Sequence, residues 1–160
     1  MDETARFAGI YLRDHYAGSV AGLELVARAR RSNEGTELGE FLARLEAEIR
    51  DDQAALLAVM RSLGVDPSRV KNGLAWTAEK AGRLKLNGRI VRRSPLSTVV
   101  ELEGLAAGIL LKRSLWTSLE ALQDPRLAGH DFATLAARAE GQAASVEEWK
   151  RRAAATLRAA

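Results

Sequence analysis

The chain is 160 residues long, contains no cysteine and only two histidines, and carries a formal net charge of +3. That length is enough for one domain with a real core. The absence of cysteine excludes a disulfide framework, a zinc–cysteine site and a thiol nucleophile. No apolar run approaches the roughly 20 residues that span a bilayer. The N-terminus opens with acids where a signal peptide would be basic, so a single domain over 1–160 in the cytoplasm is expected.

Abundant Ala, Leu and Arg with only three prolines is helix-forming composition. The first helix is expected over about 3–32, where Leu12, Tyr16, Val20, Leu23 and Ala27 share a face opposite Arg6, Arg13, Glu24, Arg28 and Arg31. Glu24 has Arg28 four residues on as a surface partner. Gly18 and Gly22 near the apolar face predict a close approach by a neighbouring helix. Ser32–Gly35 is a short break, so the next helix, about 36–63, should run antiparallel. Its stripe is Leu38, Phe41, Leu42, Leu45, Ile49, Leu56, Val59, Met60 and Leu63, and Gly64 with Pro67 ends it.

Residues 65–94 form a long crossover. Val70, Leu74, Thr77, Ala78, Ala81 and Leu84 predict an additional helix of about 68–86 within it. Ser94-Pro95 reads as a cap followed by proline at the first helical position. The third long helix, about 95–122, is apolar nearly all round. One side is Val100, Gly104, Ala107, Leu111, Leu115 and Leu122; the other is Leu102, Leu105, Ile109 and Trp116. A helix apolar on two sides buries both, so Leu102, Leu105, Ile109 and Trp116 are expected to meet a second copy in a homodimer. Asp131 should cap a last helix of about 132–157, with Phe132, Leu135, Ala139, Val146, Trp149, Ala153 and Leu157 inward.

Connections that are short, long and short describe an all-α, up-down-down-up bundle with one crossover. That order, the stretch Glu48-Ile49-Arg50-Asp51-Asp52 leading to Leu63-Gly64-Val65-Asp66-Pro67, and Glu101-Leu102-Glu103-Gly104-Leu105 with Lys112 and Leu115-Trp116 resemble the ferritin-like superfamily. The resemblance implies a site for two irons, built from a carboxylate on each of two helices and Glu-x-x-His on the other two. The ligands are missing. Neither His15 nor His130 lies in a Glu-x-x-His, Ser19 matches the first-helix glutamate, Asp52 matches the second-helix His or Gln, and Glu140 is followed three residues on by Ala143. No metal and no cofactor are expected.

Three polar residues stand on or beside apolar stripes at similar heights: His15, Asp52 and Gln142. With Glu48 or Glu103 beside them they could bind an ion or small ligand or move a proton. The alternative is a hydrogen-bonded network that satisfies itself where an ion once sat. The crossover carries eight basic residues from Arg69 to Arg93 against the single acid Glu79. Lys71, Trp76, Lys80, Arg83, Lys85, Arg89, Arg92 and Arg93 are candidates for contact with nucleic acid or another anionic partner. No helix-turn-helix spacing, phosphate loop or catalytic triad accompanies them. The function expected is therefore a non-catalytic bundle acting through association, with ligand binding and anion binding as the alternatives.

Overall fold

The computed structural model describes residues 3–67 and 95–159. Four α-helices are present among them, with no strand: α1 (Glu3–Ser32), α2 (Glu37–Ser62), α3 (Pro95–Leu122) and α4 (Phe132–Ala155). Short 3-10 turns, Pro125–Leu127 and Thr156–Ala159, precede and follow α4. The helix predicted over about 68–86 lies outside the described residues.

Local chemistry sets the helix ends. The Thr36 hydroxyl accepts the Gly39 amide at 3.1 Å and caps α2. Gly39 is required for the turn itself, because a Cβ there would stand 2.2 Å from the Asn33 carbonyl oxygen. Gly64, at φ 68°, stops α2 in the left-handed conformation, and the Val65 amide closes back on the Met60 carbonyl at 2.8 Å. Asp131 caps α4 by accepting the Thr134 amide at 3.0 Å. Asp124 forms a tighter knot. It accepts from the Arg126 side chain and amide, and the Arg126 guanidinium holds its carboxyl down at about 2.

Contacts between named side chains give the helix directions. Arg30 meets Glu46, Ser19 meets Gln53, and Arg13 reaches the Asp66 carbonyl, so α1 and α2 are antiparallel. Trp116 stacks on Phe132 and Lys112 meets Gln142, so α3 and α4 are antiparallel. Glu48 meets Gln142 and Phe41 meets Trp149, which makes α2 and α4 antiparallel as well. Arg28 pairs with Glu101 and Leu25 lies against Gly104, relating α1 to α3 in the same way.

One core runs through all four helices. Leu12, Val26, Leu42, Met60, Leu102, Leu115, Trp116 and Val146 are fully enclosed, and Phe132 and Leu127 seal the end near the α3–α4 turn. Each large side chain buried in this way contributes about 1.5–3 kcal/mol relative to exposure.

Two expectations are corrected here. Leu102, Leu105, Ile109 and Trp116 are not an intersubunit face: all four lie in the core of the single chain. They lie on the side of α3 that packs against α4 and α1, the side from which Lys112 reaches Asp52 of α2. The side left outward carries Leu96, Val100, Leu111 and Leu122, with Leu110 beside them. Nor do the glycines mark close helix crossing throughout. Only Gly104 is tight, with Leu25 Cδ2 3.2 Å from its would-be Cβ. At Gly18, Gly22 and Gly108 a Cβ would meet nothing within 4 Å.

Candidate functional site

The space left by those glycines is a cleft of about 370 Å³ between α1, α2 and α3. Gly18 and Gly22 line one wall, Gly104 and Gly108 the facing one, and Ile49, Leu56, Leu105, Ile109, Leu115 and Trp116 provide most of the rest. Helix-interior glycine costs about 1 kcal/mol relative to alanine, and here that cost coincides with open volume rather than with packing. A cleft of this size, mostly apolar with a few polar groups, has the character of a small-molecule site.

Its polar wall comes from one level of the bundle. Asp52 of α2, 2% exposed in its side chain, accepts from Lys112 of α3 and from Arg138 of α4. Lys112 also donates to the Gln142 side-chain oxygen. The Gln142 amide nitrogen in turn donates to Asp52 at 3.2 Å and to Glu48 at 3.0 Å. Burial is the largest influence on Lys112 and pulls its pKa below the ordinary lysine value, while the Asp52 carboxylate opposes it. Beside this layer, on α1, the Ser19 hydroxyl accepts from Gln53 at 2.9 Å and donates to the Tyr16 carbonyl.

Asp52 and Gln142 are thus brought together as the sequence suggested, and Glu48 joins them from an exposed rim position. His15 does not join. It lines the same cleft but packs edge-on to Tyr11, ring centroids 4.6 Å apart, and burial lowers its pKa below 6.5, partly offset by Asp14. The expected Asp–His pairing gives way because Lys112 and Arg138 reach Asp52 instead. Glu103 is exposed and makes no part of the layer. Glu101 is largely covered rather than solvent-facing, and Arg28 pairs with it at 3.3 Å across helices in place of a purely local partner. His130 accepts or donates at 3.0 Å with Ser62, tying the α3–α4 loop to the end of α2.

Sequence reasoning missed the central cation. Lys112 stands in the run Leu102, Leu105, Ile109, Lys112, Trp116, Leu119, a strict alternation of three and four residues. A lone lysine in such a stripe is a signal for a buried charge. Arg138 carries no comparable signal, since it lies one position before the α4 stripe and bends inward to reach Asp52.

No group of three or more metal-ligating side chains occurs among the described residues. Among the described residues, the groups bonded to the deep carboxylate are the Lys112 ammonium, the Arg138 guanidinium and the Gln142 amide. This arrangement neutralises Asp52 with protein cations and leaves it no spare negative charge for a metal ion. The basic crossover residues Lys71, Trp76, Lys80, Arg83, Lys85, Arg89, Arg92 and Arg93 lie outside the described residues. Among the described residues no helix is long and apolar enough to cross a membrane. No family model, curated protein or solved structure matches the chain.

Proposed function

We propose that this chain is a bundle of the ferritin-like kind, without an ion cage, that binds a small, mainly apolar ligand in the cleft between α1, α2 and α3. The antiparallel helix pairs and the single long crossover support the up-down-down-up order. In this reading Ser19, Asp52, Lys112 and Gln142 stand where ligands to a metal pair would project. The Lys112 ammonium takes the place of the ion, and the bundle performs no oxygen chemistry.

The open space at Gly18, Gly22 and Gly108 carries the ligand-binding reading. Three helix-weakening residues on two facing helices all border one cleft, and alanine would fit at each. Displacement of an uncharged solvatochromic dye by small apolar compounds tests it. Saturable binding is expected, lost when Gly22→Leu and Gly108→Leu fill the cleft in a protein that remains helical. Dye uptake that survives both substitutions would place binding elsewhere.

Self-association is a second reading, favoured by the outward row Leu96, Val100, Leu111 and Leu122 rather than by the residues first expected. Light scattering decides it: a homodimer that Leu111→Glu dissociates supports this face, and a monomer at high concentration removes it.

A further inference from the structure

We propose that the polar layer centred on Asp52 is a latch that sets how the two helical hairpins, α1–α2 and α3–α4, sit against each other, and with that the width of the cleft between them. This goes beyond the ligand-binding reading and stands on separate observations.

The hairpins are the tightly built units. Within each of them the backbones run close together along the helices. Across the seams between them the backbones approach far less, α2 and α4 least of all. Both seams are interrupted by open space. The cleft lies between α1, α2 and α3, and a groove lined by Phe41, Arg44, Glu48, Arg138, Gly141 and Ser145 lies between α2 and α4. Short loops fix the register within a hairpin. Between the hairpins that task falls to the side chains that cross the seam.

Polar side chains cross it at both ends and in the middle. Near the start of α3, Arg28 pairs with Glu101. At the opposite end Ser62 and His130 share a hydrogen bond of 3.0 Å. The middle level is the Asp52 layer. Among the described residues, each group bonded to the Asp52 carboxylate belongs to the other hairpin: Lys112 of α3, and Arg138 and Gln142 of α4. Gln142 also donates to Glu48 of α2 at 3.0 Å. The Arg28 side chain is 54% exposed, whereas those of Asp52 and Lys112 are 2% and 15% exposed. The central contact is therefore the one that cannot exchange its partners freely for water.

That difference makes the layer a position-setting device. Apolar side chains meeting across a seam tolerate sliding, because their attraction has no direction. Charge-assisted hydrogen bonds do have one. A slip of one helical turn, about 5.4 Å, would break the whole layer and strand a buried ammonium and a buried carboxylate. A single polar residue in an apolar stripe specifies register in coiled coils for the same reason. Asp52 and Lys112 also line the cleft, so the spacing they hold is the spacing of its walls.

Distance measurement between nitroxide pairs by pulsed electron paramagnetic resonance tests this without any ligand, and the chain has no native cysteine to interfere. One pair spans the seam, with Ala54→Cys on α2 and Ala137→Cys on α4. A control pair, Ser114→Cys and Ala137→Cys, lies within the second hairpin. All three positions are exposed. With the layer intact, each pair should give one narrow distance. With the layer made neutral by Asp52→Leu and Lys112→Met, the bundle should stay helical and the control distance single, while the cross-seam distance broadens or splits. Asp52→Asn keeps the shape of the side chain without its charge. It should show the same change in part, and it replaces the apolar pair should that variant not fold. A cross-seam distance that stays single and unmoved would overturn the latch. Equal broadening of both pairs would overturn it too, as a general loosening, and so would loss of helix in both variants, which would make the layer a support of the fold itself. None of these failures touches the ligand-binding reading, which dye displacement tests.

Discussion

Helix α2 turns two carboxylates inward, Glu46 and Asp52, and each meets two cations, but the two sites have opposite characters. Glu46 is held by Arg30 at 2.8 Å and Arg50 at 2.6 Å, and those partners are 42% and 62% exposed in their side chains. Asp52 is held by Lys112 and Arg138, which are 15% and 36% exposed. At Glu46 the cations reach water whether or not the acid is present. At Asp52 the lysine is mostly covered and meets water only through the cleft. An ion pair whose members can return to solvent contributes little, whereas removing one partner of a buried pair leaves an uncompensated charge. The comparison separates a pair that fastens the α1–α2 hairpin at its surface from a layer that ties α2, α3 and α4 together in the interior.

The strongest way to break this contrast is Asp52→Ala. It should cost about 3–5 kcal/mol of unfolding free energy, because the Lys112 ammonium stays in the core with only the Gln142 amide as a partner. Urea denaturation measures it. Adding Lys112→Met to that variant should restore most of the loss, and a double variant no more stable than the single one would show that Lys112 is not the cause. Glu46→Ala should cost about 1 kcal/mol or less, and the cost should shrink in high salt. If the two alanine variants are equally destabilised, the distinction between interior and surface fails.

A smaller effect of opposite sign comes from the glycine walls. Gly108→Ala should stabilise the fold by about 0.5–1 kcal/mol, since the methyl group meets nothing within 4 Å and helix propensity improves. The same change should weaken ligand binding. Stability gained at the expense of binding is the pattern expected of a site that retains helix-weakening residues for its volume.

The pH dependences sharpen the contrast further. The hydrogen bond from Arg50 is the main reason the Glu46 carboxyl lies below its ordinary 4.5, with Arg30 adding to it. A depressed acid contributes stability that is present above 4.5 and lost as pH falls through the lowered value. That part of the acid limb should vanish in Glu46→Gln. Lys112 behaves in the reverse sense. Its folded pKa lies below 10.5, so the unfolded chain binds the extra proton in the window between the two values. Stability from this group should rise with pH across that window, and Lys112→Arg should flatten the rise. The smallest effect is at His15, which should titrate below 6.5 by NMR, with stability increasing with pH up to that value.

Much of the fold was legible because helix periodicity is a local property. The ends of α1 and α3 fall where composition and proline place them, and Gly64 and Asp131 act as the stop and the cap that their chemistry suggests. The polar layer was half legible. Asp52 and Gln142 each interrupt an otherwise apolar stripe at a height that short connections allow to be counted. Lys112 interrupts one too, and was overlooked only because α3 looks apolar on every side.

The sequence by itself determined four long helices, their approximate lengths and the chain breaks between them, since each depends on residues within a few turns of one another. Tertiary structure decided the remainder. It chose which of the two apolar sides of α3 faces inward, since that depends on three neighbours at once rather than on α3's own pattern. It turned glycines that read as contact points into a cleft, since whether a missing side chain is filled depends on how far the opposite helix stands away. And it gave Asp52 to Lys112 and Arg138 rather than to His15, since a buried carboxylate pairs with whatever cation the packing brings within reach.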